Sequence, residues 1–116
     1  MTWKQARIHA LQCTARLNIP DRLEGVTVQI TDYDDEDTLR FFKAEEPDLT
    51  LQSQRLINQS FAREMRKRGA VIRFVPVDIN AAFAWLAKYD LPNTPANRAQ
   101  YIAWLTAPEP KPTPTR

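Results

Sequence analysis

The sequence predicts an α+β fold class, in which a small antiparallel sheet of two to three strands is packed by about four helices. Residues 26–31 alternate apolar and polar side chains, which is typical of a half-buried strand. Residues 51–77 combine a long basic segment, Gly69 and a run of β-branched residues. That pattern is typical of a helix that ends and turns directly into a strand. The predicted order is helix, strand, strand, helix, strand, helix, helix.

The first element is predicted to be a helix over residues 2–17, with Thr2 as its N-cap. Apolar side chains cover more than half of its circumference on a helical wheel. A helix of this kind is either central to the core or covered by another chain, so we also expect a homodimer through this helix as an alternative. The apolar residues are Trp3, Ala6, Ile8, Ala10, Leu11, Cys13, Ala15 and Leu17.

An acidic run follows the strand at 26–31. The next segment, residues 38–43, contains β-formers and no clean helical stripe, which favours a hairpin strand. A short helix capped by Asp35 or Asp37 is the alternative. As a hairpin loop, the acidic run would imitate a nucleic-acid backbone and bind the basic groove of a partner. The candidate partner-binding carboxylates are Asp32, Asp34, Asp35, Glu36 and Asp37.

The long helix, residues 51–68, carries a basic face. Ile57, Phe61 and Met65 form its apolar stripe, and the polar side chains lie together within about 120° of arc on another side. The strand after the helix is expected to end at Pro76, which cannot donate to a ladder. The candidate residues for contact with phosphates or with an acidic protein are Arg55, Gln59, Arg63, Arg66, Lys67 and Arg73.

Two shorter helices are expected after this strand. Asp78 and Thr94 are suitable N-caps for them, and proline follows Thr94 at the first helical position. Residues 108–116 alternate proline with Glu, Lys and Thr, which predicts an extended disordered tail. The chain is therefore expected to form a single compact domain over residues 1–107.

Composition argues against several classes of protein. The 116 residues are 43% hydrophobic and 26% charged, which is the balance of a folded domain rather than a disordered chain. No apolar run approaches the roughly 20 residues of a membrane helix, and the N-terminus has no secretory pattern. The single cysteine, Cys13, cannot form an internal disulfide, which predicts a cytoplasmic location.

The sequence also lacks the motifs of common catalytic and cofactor sites. Its two glycines are too few for a phosphate-binding loop, and one His with one Cys cannot supply four zinc ligands. His9 and Cys13 are four apart on one helix, but they lie on different sides of the wheel. The acidic run starts like a calcium loop, but Asp37 and Lys43 stand where that loop requires Gly and Glu. We therefore predict no metal, no cofactor and no enzymatic activity.

Charge is separated along the chain. Residues 25–50 contain eight acidic and two basic residues, whereas residues 51–77 contain one acidic and six basic residues. This pattern predicts a non-enzymatic interaction protein, of the adaptor or inhibitor type, that binds a partner protein through the acidic hairpin loop or the apolar first helix. The alternative is a nucleic-acid-binding module that uses the basic face of the long helix.

Overall fold

A computed structural model describes residues 1–107. The tail predicted over residues 108–116 lies outside the described residues. Within the described part, five helices accompany a two-stranded sheet. The elements are α1 (Trp3–Arg16), β1 (Thr27–Tyr33), α2 (Glu36–Phe42), α3 (Leu51–Lys67), β2 (Val71–Val77), α4 (Ile79–Lys88) and α5 (Pro95–Thr106).

The sheet is parallel, so the predicted antiparallel arrangement is wrong. β1 and β2 pair from Thr27 opposite Val71 to Tyr33 opposite Val77. Between the two strands the chain passes through α2 and α3, which return it to the starting end of the sheet, as a parallel pair requires. The alternation at 26–31 revealed a strand but not its direction, because side chains alternate with period two in both kinds of sheet.

The hairpin strand predicted at residues 38–43 is also wrong, because most of this segment lies in α2. The carboxylate of Asp35 accepts the backbone N–H of Thr38 at 2.8 Å and so caps the helix. Glu36 and Asp37 occupy the first turn, where negative charge favours the helix dipole. This local chemistry outweighs the β propensity of the segment. The order is therefore α-β-α-α-β-α-α, with five helices rather than about four.

The other helix boundaries follow the predicted signals. Thr2, Asp78 and Thr94 cap α1, α4 and α5, and each side chain accepts a backbone N–H three residues further on. Gly69 follows α3 with φ of +99°, in the left-handed region that suits glycine. Cap chemistry involves only neighbouring residues, so the sequence is sufficient to predict it.

β2 extends beyond its predicted end at Pro76. The odd-numbered residues of β2 face β1; the N–H of Val71, for example, donates to the carbonyl of Val26 at 3.0 Å. Pro76 is even-numbered, so its nitrogen faces away from β1 and no ladder bond is lost. The strand therefore continues to Val77, whose carbonyl accepts the N–H of Asp34 at 3.0 Å.

The buried apolar side chains form two clusters of different size. The larger one is aromatic and includes Trp85 and Tyr101, with side chains of α2, α4 and α5 around them. The smaller one lies against α3, where Met65 packs with Leu23 and Ala70. α1 supplies no residue to either cluster.

α1 instead packs on α3 through small side chains. Ala6, Ala10 and Thr14, spaced four apart, are buried, whereas the larger Ile8 and Leu11 are 48% and 40% exposed. Small residues on one stripe allow two helices to approach closely without burying large side chains. α1 is therefore not central to the core. Its coverage by another chain stays a prediction.

Candidate interaction surfaces

A cleft of about 230 Å³ lies between the start of α1 and the end of α3. Its lining contains four cationic side chains and no carboxylate among the described residues. Two of the cations are three apart on α1 and two are four apart on α3, and these spacings place each pair on one face of its helix. The residues that line this basic cleft are Trp3, Lys4, Arg7, Ser60, Arg63 and Lys67.

The four cations of the basic cleft form no salt bridge within residues 1–107, although other cations do. Arg68, for example, lies 3.4 Å from Glu64. Clustered like charges repel one another, and an anion that enters the cleft relieves this repulsion. The start of α1 adds the positive end of a helix dipole. The basic cleft is therefore electrostatically suited to an anionic group.

Lys4 and Arg7 were not among the residues predicted from the sequence. Their spacing on one helix face was visible, but their partners across the cleft were not. They meet Arg63 and Lys67 only because the start of α1 lies beside the end of α3. That juxtaposition depends on helix packing, for which no local signal exists.

The predicted basic face of α3 is divided between two surfaces. Arg63 and Lys67 line the basic cleft. Gln59 and Arg66 line a separate groove of about 350 Å³, together with Phe74 of β2. α3 therefore carries cations on two flanks, and the second flank includes an aromatic ring.

Arg55 differs from the other predicted cations because its guanidinium has partners within the fold. It donates to the carbonyl oxygens of Tyr33 at 3.2 Å and Asp34 at 3.3 Å, and it lies 3.8 Å from the carboxylate of Asp32. These contacts hold the end of β1 against α3. Arg73, by contrast, is exposed on β2.

The acidic run does not form a hairpin loop, and part of it stabilises helix starts. Asp35 caps α2, and hydrogen bonds from the backbone N–H and the hydroxyl of Thr38 hold its pKa below the usual value. Glu36 accepts the backbone N–H of Leu51 at 2.9 Å, at the start of α3. These two carboxylates are therefore engaged within the fold.

The remaining members of the acidic run divide into two groups. Asp32 lies beside Arg55. The carboxylates of Asp34 and Asp37 form no hydrogen bond or salt bridge within residues 1–107. Of the five carboxylates that were predicted to contact a partner protein, only these two have no hydrogen bond or salt bridge within the described residues.

Ile8 and Leu11 form an apolar strip on the outward face of α1. Successive residues of a helix are about 100° apart, so Leu11 lies between Lys4 and Arg7 in angle, and Ile8 lies just beyond Lys4. The apolar strip and the basic cleft therefore share one border of α1.

His9 and Cys13 both lie on α1. Both line a large groove beside β1, but no hydrogen bond joins them within the described residues. The polar partner of the Cys13 thiol is Arg16, whose Nη2 lies 3.7 Å from Sγ. No three His, Cys, Asp or Glu side chains in residues 1–107 converge as a metal site.

Comparison with known proteins identifies no relative. No protein-family model matches the chain, and no curated protein or solved structure matches it. Of the helices in residues 1–107, none has the length and apolar character that crossing a membrane requires. The functional assignment therefore depends on the surfaces described above.

Proposed function

We propose that this chain is a non-enzymatic interaction protein, of the adaptor or inhibitor type, that binds an acidic partner protein across α1 and α3. The single observation that carries the proposal is the border shared by the apolar strip and the basic cleft. Apolar contacts supply most of the affinity at protein interfaces, and charge complementarity supplies specificity and association rate. We expect the partner to present an amphipathic segment with apolar side chains flanked by carboxylates.

The proposed location is the cytoplasm. The support for it is Cys13, which has no second cysteine to pair with and is typical of a chain from a reducing compartment. A homodimer through the apolar strip is the alternative use of the same surface, because a second copy would also cover Ile8 and Leu11.

The double variant Ile8→Lys/Leu11→Lys tests the proposal. Both side chains are exposed, so we expect a change in unfolding free energy of less than about 1 kcal/mol. We also expect that the double variant does not capture the acidic protein that the wild-type chain captures from host extract. Calorimetry then measures the binding of the purified partner to both chains. Sedimentation of the wild-type chain alone detects the homodimer.

The matched control is Val26→Lys/Val71→Lys, which places the same two charges at exposed apolar positions near the sheet. It should bind the partner as the wild-type chain does. Equal binding by both double variants would contradict docking on the apolar strip.

A nucleic-acid-binding module is the second candidate function. The observation that favours it is that two exposed aromatic rings lie beside α3 cations: Trp3 in the basic cleft and Phe74 in the groove with Arg66. Proteins that bind single strands combine cationic grooves with aromatic side chains on which bases stack. Gln59, in the second groove, has an amide suited to base edges.

The Lys double variant separates the two candidates. Two added cations beside the basic cleft should strengthen binding to a nucleic acid, whereas they should abolish apolar docking of a protein. Nucleic-acid binding should also weaken by roughly 0.9 log units per log unit of salt for each duplex phosphate contact, and by roughly 0.7 for a single strand. A mobility shift with a single-stranded oligonucleotide measures both effects.

Arg63→Glu/Lys67→Glu should abolish binding under either candidate, because it reverses half of the basic cleft. The charge-matched control is Arg22→Glu/Lys88→Glu, which alters exposed cations on the connection after α1 and on α4. If the wild-type chain shifts no oligonucleotide at low salt, the nucleic-acid candidate is eliminated.

A further inference from the structure

The outer edge of β1 points away from its partner strand. The ladder to β2 uses even-numbered residues of β1, as the carbonyl of Val26 and the N–H of Asp34 show. Backbone groups alternate sides along a strand, so those of the odd-numbered residues face outward. The residues with outward N–H and C=O groups are Thr27, Gln29, Thr31 and Tyr33.

Side chains of α3 cover only the far end of this edge. Asn58 Nδ2 donates to the carbonyl of Thr31 at 3.0 Å, and Arg55 donates to the carbonyl of Tyr33 at 3.2 Å. The backbone groups of the first two outward residues have no hydrogen-bond partner within residues 1–107. Unpaired groups at strand spacing are a template for another strand.

A groove of about 1300 Å³ lies beside this uncovered edge. It exceeds the 300–1,000 Å³ or so of pockets that hold small ligands. Ile57 and Phe61 of α3 contribute an apolar wall, and Leu17, just after α1, contributes another apolar side chain. The groove therefore combines backbone groups with an apolar wall, which are the two features that a bound strand contacts.

The connection between α2 and α3 gives the groove an acidic rim. Glu45, Glu46 and Asp48 all line it and are exposed. Lys43 lies 3.8 Å from Glu46, but the other two carboxylates form no salt bridge within the described residues. The three carboxylates outnumber Arg16 and Lys43, the two Lys or Arg side chains in the groove lining, so the rim complements basic side chains.

We propose that the groove binds an extended basic peptide, which adds as a strand to the outer edge of β1 beside Thr27 and Gln29. The peptide backbone pairs with the outward N–H and C=O groups of these residues. One set of alternate side chains contacts the apolar wall, and basic side chains reach the acidic rim. The inference goes beyond the proposed docking of an acidic protein. It also takes a polypeptide as the partner, but it uses a surface separate from the apolar strip and favours basic side chains.

Phage display tests this proposal. Random peptides about nine residues long are selected for binding to the full chain. We expect enrichment of peptides that carry Lys or Arg together with apolar residues. N-methylation of one alternate set of backbone nitrogens in a selected peptide, the set that faces β1, should weaken binding at least about tenfold, because each methyl group removes a donor. Methylation of the other set should not. Absence of selected peptides, enrichment of acidic ones, or indifference to N-methylation would overturn the proposal.

Gln29→Pro tests the edge from the side of the protein. It removes an outward N–H without removing a bond to β2, in the same way that Pro76 occupies an outward position of β2. The control Gln29→Val keeps the N–H but loses the side-chain hydrogen bond to the carbonyl of Thr106 at 3.0 Å. The proline variant should lose at least about tenfold in peptide affinity and the valine variant less than about threefold.

If circular dichroism shows that Gln29→Pro is unfolded, hydrogen exchange on the wild-type chain tests the strand pairing instead. The selected peptide should then slow exchange of the Thr27 and Gln29 amide protons, and unchanged exchange would overturn the proposal.

Glu45→Lys/Asp48→Lys should convert the selected peptides from basic to acidic. Ile8→Lys/Leu11→Lys should leave peptide affinity unchanged, so failure of the groove and failure of the apolar strip are distinguishable.

Discussion

The side of the molecule built by α4 and α5 and the side built by α1 and α3 are packed in different ways. In the first, Trp85 lies with its ring centroid 5.5 Å from Tyr101 and 5.8 Å from Trp104. In the second, the buried contacts of α1 are Ala6, Ala10 and a threonine. Large rings bury much apolar area, whereas small side chains bring helices together and leave larger side chains outside. We infer that the aromatic side contributes most of the stability and that the helix pair supplies the binding surface.

The cations of α4 and α5 also differ from those of the basic cleft. Arg98 lies 5.2 Å from the ring centroid of Phe41, and Lys88 lies 5.4 Å from that of Tyr89. Such contacts stabilise a cation within the fold. The four cations of the basic cleft form no salt bridge in the described chain, which leaves their charge available to a partner.

The largest expected effect is on the aromatic side. Trp85→Ala removes a side chain that is 6% exposed, and we expect a loss of about 3–5 kcal/mol in unfolding free energy. Trp3→Ala, in the cleft of the helix pair where the ring is 40% exposed, should cost about 1–2 kcal/mol. Urea unfolding followed by circular dichroism measures both. Similar costs for the two tryptophans would contradict the comparison.

The next effect concerns the attachment of the helix pair. Arg68 donates to the carbonyls of Ile19 at 2.9 Å and Pro20 at 3.1 Å and pairs with Glu64, while its side chain is only 17% exposed. Arg68→Ala should therefore cost about 2–3 kcal/mol in urea unfolding. Its neighbour Arg66 is exposed, and Arg66→Ala should stay within about 0.5 kcal/mol. If Arg68→Ala cost as little as Arg66→Ala, the contacts of Arg68 with Ile19, Pro20 and Glu64 would not contribute to stability.

A similar or smaller effect tests the small-residue interface. Ala10 is 1% exposed, and Ala10→Leu should cost about 1–3 kcal/mol because α1 must move away from α3. The same variant should weaken partner binding, since the cations of the basic cleft separate. Ala99→Leu, at an exposed position of α5, is the control and should change neither stability nor binding. If Ala10→Leu bound the partner as the wild-type chain does, partner binding would not depend on the close packing of α1 on α3.

The smallest effect depends on pH. Hydrogen bonds from Thr38 lower the folded-state pKa of Asp35 from 3.8, so its contribution to stability is present above that value. The contribution is lost as pH falls through the lower folded-state pKa. Asp35→Asn keeps a capping side chain but does not titrate, so its unfolding midpoint should fall less steeply with acid.

Urea midpoints from about pH 7 down to about pH 2 test this expectation. Asp48→Asn, which removes an exposed carboxylate without a salt bridge in the described chain, is the control for the loss of one negative charge. Parallel curves for Asp35→Asn and the wild-type chain would show that the cap does not titrate as proposed.

Several parts of the fold could be predicted because they depend on neighbouring residues alone. The caps at Thr2, Asp78 and Thr94 and the left-handed Gly69 are local, and all were predicted. The strand direction was not, and the helix over residues 38–43, capped by Asp35 or Asp37, was only the alternative to the favoured hairpin strand. Direction depends on where the crossover returns the chain, and α2 depended on a capping bond that competes with β propensity.

The candidate site shows the same division. The arrangement of bases along the chain was enough to predict that α3 is basic, because helical periodicity assigns each side chain to a face. Only packing determined which cations meet: Arg63 and Lys67 join Lys4 and Arg7 from α1, whereas Arg55 binds the end of β1. Periodicity is a property of one helix, but a cleft between two helices depends on how the whole chain brings them together.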